Sequence, residues 1–186
     1  MLRIYGNRRL KTLPGLTTRP TTSRVRESLF NIWQGNLSNC HWLDLCAGIG
    51  SIGAEALARG AASVFAIEQS HEACAVIRQN WQTVVQPHQQ FVVYHGKLPH
   101  ILSSFNGQQF DRIYFDPPYT SPIYNGVIRS IVDNHLLSPE GELAVEHHPS
   151  WELPPLPVGL EVCRKKIYGN SSLTFFQVRS FDNVSG

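Results

Sequence analysis

No apolar run in this chain approaches the ~20 residues that a membrane helix needs. The longest, such as Leu43–Leu45 and Ser63–Ile67, are strand-sized. The opening Met1-Leu2-Arg3-Ile4-Tyr5 meets Gly6-Asn7 and then basic residues rather than an apolar core, so no secretory leader is expected. Cysteine is sparse: Cys40, Cys46, Cys74 and Cys163 show no Cys-x-x-Cys spacing, and the histidines do not fall at ligand spacing around them. Reduced thiols and no metal site are the expectation, rather than a disulfide scaffold or a zinc centre. Internal repeats and low-complexity segments are missing too. What those absences leave is a cytoplasmic globular chain of 186 residues, 42% hydrophobic and 16% charged, long enough for one well-filled core.

One further absence is local. Residues 1–26 contain no acid but carry Arg3, Arg8, Arg9, Lys11, Arg19, Arg24 and Arg26, a net of +7. The other 160 residues hold nine basic and fourteen acidic side chains, a net of −5. A basic arm on a mildly acidic body suits phosphate contacts, the alternative being a solvated tail. The polar run Thr17–Ser23 ends in helix-start chemistry, so the arm is expected to be ordered there.

From Thr22 the spacing of Val25, Leu29 and Trp33 predicts an amphipathic helix ending near Gly35. Beyond it, strand and helix alternate. Strands are expected at His41–Leu45, Ser63–Ile67, Gln90–His95, Asp111–Phe115 and Glu142–His147. Helices are expected over Ile52–Arg59, from Ser70 to about Trp81, around Pro99–Ser104 and over Tyr124–Asn134, with Ser138-Pro139-Glu140-Gly141 as a turn. After the Pro-rich loop Pro149–Pro157, two further strands, Glu161–Ile167 and Leu173–Val178, flank the turn Gly169-Asn170. Such alternation predicts an α/β fold: a mostly parallel seven-stranded sheet with helices on both faces, closed by a C-terminal antiparallel hairpin. The expected organisation is a basic extension and helix over 1–35 and a catalytic domain over 36–180.

Asp44-Leu45-Cys46-Ala47-Gly48-Ile49-Gly50-Ser51-Ile52-Gly53 falls at a strand–turn–helix junction and spells G-x-G-x-x-G. Glycines there let the backbone turn tightly and approach a ligand at a helix N-terminus. Glu68, twenty residues after Gly48 and closing the second strand of the series, can accept from both ribose hydroxyls. These features suit NAD as well as S-adenosylmethionine. Asp44 tips the balance: a carboxylate before the loop would repel a pyrophosphate and suits the cationic methionine end of S-adenosylmethionine.

Asp116-Pro117-Pro118-Tyr119 follows the fourth strand of that series, at the same sheet edge as the glycine loop. The prolines stiffen the chain and remove two N–H donors. The Asp116 carboxylate and Pro117 carbonyl can accept the two N–H bonds of an exocyclic base amine, and Tyr119 offers a face on which the base stacks. The expectation is an N-methyltransferase in which Asp116 orients and stabilises. The pair His147-His148 is read as strand-end surface, not as a proton-handling site.

Four stretches resemble the RsmD-like bacterial methyltransferases, which modify a guanine N2 of small-subunit (16S) ribosomal RNA. They are Arg19–Asn31, Leu43–Ala61, Asp116–Tyr119 and Tyr168-Gly169-Asn170-Ser171-Ser172-Leu173-Thr174-Phe175-Phe176. The resemblance implies a class I (Rossmann-like) methyltransferase using S-adenosylmethionine, with Asp116, Pro117 and Tyr119 as catalytic corner. It implies cofactor contacts from Asp44, Cys46, Ala47, Gly48, Gly50, Glu68, Gln69 and Asp116. Arg19, Thr21, Thr22, Arg24 and Arg26 would lie near cofactor and RNA, with Arg3, Arg8, Arg9 and Lys11 on RNA phosphates. The implied partner is 16S ribosomal RNA, free or within the small subunit, for a monomer that touches no membrane. Two departures stand out: Cys46 replaces a commoner apolar residue, and His95-Gly96-Lys97 has no acid for the adenine amine. The alternatives are an adenine-N6 DNA methyltransferase, a non-catalytic RNA-binding assembly factor and an NAD-binding oxidoreductase.

Overall fold

The computed structural model describes residues 2–13 and 23–179. Its chain order is β1 (Leu2–Ile4), β2 (Arg8–Leu10), α1 (Ser23–Ile32), β3 (His41–Leu45), α2 (Ser51–Ala58), β4 (Ser63–Glu68), α3 (His71–Gln82), β5 (Gln90–His95), β6 (Phe110–Phe115), α4 (Tyr124–Asp133), β7 (Leu137–His147), β8 (Leu160–Tyr168) and β9 (Ser171–Val178). Short 3-10 turns occupy Tyr5–Asn7 and His100–Phe105. The main sheet has seven strands in the order β5-β4-β3-β6-β7-β9-β8. Strands β5 through β7 run parallel, and β9 returns antiparallel between β7 and β8. This is the doubly covered α/β sheet expected, with its terminal hairpin. None of the described helices is long and apolar enough to cross a membrane.

Each face of the sheet has its own apolar layer because strand residues alternate sides. One layer joins Trp42, Val64, Ala66, Tyr114, Ala144, Leu173 and Phe175 to α1, α2 and α3. The other joins Leu43, Leu45, Ile113, Phe115, Val145 and Phe176 to α4 and the 3-10 turn at His100–Phe105. The α1 stripe docks through aromatic rings: Phe30 stacks on Trp42 at 5.5 Å, and Trp33 meets Trp42 and Phe175 edge-on at 5.2 and 5.7 Å. Such ring pairs add about 0.5–1.5 kcal/mol each beyond the area they bury. Trp33 also donates its indole N–H to Glu142 Oε2 at 2.8 Å, and Ser28 Oγ bonds the Tyr168 hydroxyl. Helix α1 and the Trp33 that follows it are thereby fastened to β3, β7 and the β8–β9 hairpin.

The fold of the described residues differs from the sequence expectation in four places. The basic arm forms a β1–β2 hairpin whose Ile4 and Leu10 join the same apolar layer as Trp42. Strand β7 begins at Leu137 rather than Glu142: between the pairs Phe110↔Leu137 and Arg112↔Glu142 the predicted turn is absorbed as a bulge. The helix around Pro99–Ser104 is a 3-10 turn. His147 is not surface. It is fully buried, with Nδ1 at the His148 carbonyl (2.7 Å), Nε2 at Thr174 Oγ1 (2.8 Å) and its ring against Trp151 at 4.6 Å. The cause is topological. Strand β9 flanks β7, so the last residues of β7 are interior, and only His148 is exposed.

Candidate active site

The carboxyl ends of β3, β4 and β6 lie side by side, so their following residues converge. The glycine loop hangs from that edge through the N–H groups of Cys46 and Ala47, which donate to the Ile67 carbonyl at 3.1 and 3.2 Å. Cys46, Gly48 and Gly50 all take left-handed φ, at 63°, 57° and 75°. A non-glycine residue held there costs of order 1–3 kcal/mol, a strain that accumulates at functional loops. Gly48 faces open space, whereas a Cβ at Gly50 or Gly53 would strike the Trp81 indole at 2.7 and 2.2 Å. The glycines therefore divide the work: Gly48 keeps the approach clear, while Gly50 and Gly53 let α2 seat on α3. Trp81 Nε1 fixes the arrangement by donating to the Gly50 carbonyl at 2.7 Å.

Glu68 accepts from the N–H groups of Gly48 (2.9 Å) and Ser70 (2.8 Å), one on each oxygen, which ties the loop to the end of β4. Each oxygen retains a second lone pair for a ligand hydroxyl. Gln69 is exposed, its carbonyl 2.9 Å from His95 Nε2, and the Gly96 N–H donates to the Glu68 carbonyl. Asp44 is 2% exposed beneath α2 and accepts the Gly53 N–H at 3.1 Å, so part of its capacity caps that helix. Burial raises its carboxyl to about 8, with Glu68 adding to the rise and the Gly53 bond opposing it. The Cys46 thiol is pushed up by burial and then by the fields of Glu68, Asp116 and Asp44, which disfavours the thiolate. Three carboxylates thus bear on one loop residue. Among the described residues no group of acids, histidines or cysteines is arranged to hold a metal ion.

Asp116 and Tyr119 are half-buried and Pro117 is buried; the Asp116 N–H reaches the Leu45 carbonyl at 3.4 Å. That bond sets the Asp116–Tyr119 corner against the first residues of the glycine loop. Tyr119 offers more than the ring expected from the sequence. Its hydroxyl donates to Glu146 Oε1 at 3.0 Å and lies 2.6 Å from Ser171 Oγ. Burial holds the phenol up at about 12. A signal did exist in the sequence: Glu146 is the one acid in the otherwise apolar run Leu143–Glu146.

The basic residues separate. Arg3, Arg9, Lys11 and Arg24 are exposed. Arg3 bonds Asn7, Arg8 donates to the Val84 carbonyl at 2.9 Å, and Lys11 Nζ donates to Gln79 at 2.9 Å. Asn80 grips the Lys11 backbone and the Ile49 carbonyl together, linking the arm to the glycine loop. Arg26 is a correction. It is 5% exposed, its Nε is 2.8 Å from Glu55 Oε2 and its Nη2 donates to the Arg3 carbonyl, so it braces the core and is closed to RNA phosphate. Arg19, Thr21 and Thr22 lie outside the described residues.

Residues 2–177 match the family described as conserved hypothetical protein 95. Ribosomal RNA small subunit methyltransferase D of Escherichia coli K12 is 30% identical over 164 residues, covering 88% of this chain and 80% of that one. Its Haemophilus influenzae namesake is 31% identical over 144 residues, covering 77% and 75%. Among solved structures, Escherichia coli yhhF superposes with a TM-score of 0.80 at 27% identity, covering 96% of this chain and 98% of that one. The chain belongs to this RsmD-like family.

Proposed function

We propose that this member of the RsmD-like family transfers a methyl group from S-adenosylmethionine to the exocyclic N2 of a guanine in small-subunit (16S) ribosomal RNA. The observation that carries this reading is the seating of Asp116–Tyr119 directly against the glycine loop. The names of the relatives support ribosomal RNA as acceptor.

The residues suit the cofactor. Asp44, Glu68 and Asp116 all bear on Cys46, and among the described residues no cation pairs with Asp44. That acidic pocket favours a ligand with a cationic end and disfavours a pyrophosphate, which speaks against NAD. Asp44 and the loop from Cys46 to Gly48 would hold the methionine end, and Glu68 and Gln69 the ribose side. With no acid at His95-Gly96-Lys97, the adenine is left to backbone groups and packing. Bound there, S-adenosylmethionine supplies an electrophilic methyl group on a sulfonium.

The chain's own part is to present the acceptor. The Asp116 carboxylate and the Pro117 carbonyl accept the two N–H bonds of the base amine, whose lone pair is otherwise delocalised into the ring. Holding both hydrogens favours the pyramidal nitrogen and the positive charge it acquires. Tyr119 stacks the base, and the proton leaves after transfer. Arg3, Arg9, Lys11 and Arg24 hold phosphates around the site.

The test is to incubate the protein with labelled cofactor and either undermethylated small ribosomal subunits or duplex DNA. Label is expected in N2-methylguanine of the ribosomal RNA. Label in DNA adenine alone would replace this reading with the adenine-N6 alternative.

A further inference from the structure

Glu146 lies at the carboxyl end of β7 and is 3% exposed, yet among the described residues its partners are hydroxyls rather than cations. Tyr114 donates to Oε2 at 2.6 Å, Tyr119 to Oε1 at 3.0 Å, and Tyr124 to the backbone carbonyl at 3.2 Å. With the Tyr119 proton on Glu146, the Ser171 hydroxyl at 2.6 Å donates to the Tyr119 oxygen. Among the described residues the phenol is therefore held at two points, by β7 and by the first residue of β9. Two bonds to one oxygen fix both the tilt and the depth of the ring.

From this geometry we infer that Glu146 and Ser171 are positioning residues for methyl transfer: they lock the Tyr119 ring as the platform that sets the acceptor base in line, and so tie the acceptor site to the C-terminal hairpin. The inference rests on the function proposed above. It assigns Tyr119 a stacking face and uses up its hydroxyl, leaving that group no proton to exchange with substrate. An apolar side chain could fill the same space between β6 and β9 without orienting anything. A buried carboxylate shared by two tyrosines is costly to desolvate, and what it adds over a packed Leu is a defined direction for each phenol. Misplacing a reacting group by about 1 Å costs up to about 100-fold in rate, so a ring released from its tethers should register mainly in kcat.

The experiment compares Glu146→Leu, Glu146→Gln, Tyr119→Phe and the double variant Glu146→Leu/Tyr119→Phe, full chain throughout. Steady-state methylation is measured on small subunits, with melting and binding of S-adenosylhomocysteine in parallel. Glu146→Leu should lower kcat about tenfold with little change in KM, and Tyr119→Phe, which loses the Ser171 bond as well, at least as much. Glu146→Gln, which keeps an acceptor, should recover most of the rate. The double variant should be no slower than Tyr119→Phe within about twofold, since the bond to Glu146 can be lost only once. Losses that multiply in the double variant, a Glu146→Leu enzyme at wild-type kcat, or no recovery in Glu146→Gln would each overturn the inference. Failure of the functional proposal looks different: wild-type protein itself would leave ribosomal RNA unlabelled, and the four variants would then be ranked on whichever acceptor it does label.

Discussion

Two carboxylates near helix α2 are equally buried, each 2% exposed, and their surroundings could hardly differ more. Glu55, on the helix itself, stands between two guanidiniums, with Arg26 Nε and Arg59 Nη2 each 2.8 Å away. Asp44, beneath the helix N-terminus, has one backbone N–H and the repulsion of Glu68, and its carboxyl is raised to about 8. The first charge is neutralised from within the chain, so it belongs to the scaffold. The second has no countercharge among the described residues, which is what the proposed cationic cofactor would supply. Burial alone would have classed the two together; the identity of the neighbours separates bracing from binding.

Asp116→Ala should lower methyl transfer by about 10³-fold or more, while equilibrium dialysis finds cofactor affinity within about threefold of wild type. A parallel fall in affinity would move Asp116 from the acceptor side to the cofactor side. Next in size is Glu55→Gln. Leaving Arg26 without its full countercharge should cost about 3–5 kcal/mol, near 10 °C in Tm for a chain of this length. The folded fraction should bind cofactor as wild type does. A weaker affinity without a drop in Tm would erase the distinction between the two acids.

Asp44→Asn should do the reverse. Cofactor affinity falls about 100-fold, as expected when one partner of a buried charge pair is removed. Stability follows the opposite sign: a carboxyl raised from 3.8 to about 8 contributes stability fully present below about pH 4 and lost as pH rises through 8. The variant should therefore melt a few degrees above wild type at pH 9 in the absence of ligand. The same shift predicts that a cationic cofactor expels a proton from Asp44 near pH 7, visible as buffer-dependent binding heats in wild type and lost in Asp44→Asn. The smallest effect should come from the exposed arm. Arg9→Glu should weaken RNA binding a few-fold and flatten its salt dependence with Tm unchanged; a changed Tm with unchanged RNA affinity would return Arg9 to the scaffold beside Arg26.

Most of the sheet was legible because β-branched and aromatic runs of five or six residues between glycine turns leave few alternatives. The run Asp116–Tyr119 was legible for a different reason: two prolines after an apolar strand can only be an exit from the sheet edge. The β1–β2 hairpin escaped because strands of three residues are too short to show a period, and their charges drew attention to phosphate instead. Arg26 was misassigned on the same ground, since one-dimensional charge counting cannot see Glu55 a full helix away. His147 and Glu146 depend on which strand flanks β7, and that is settled only by β9 folding back between β7 and β8. Long-range order of this kind has no local imprint.

That interposed strand also fixes a sequence of events. Of the described strands in the sheet, β9 comes last in the chain, yet it occupies an interior place and brings Ser171 to the Tyr119 hydroxyl. During synthesis the glycine loop and the Asp116 corner emerge well before the serine bonded to Tyr119. A nascent chain can form the glycine loop first, and the tether on Tyr119 is complete only once β9 has emerged.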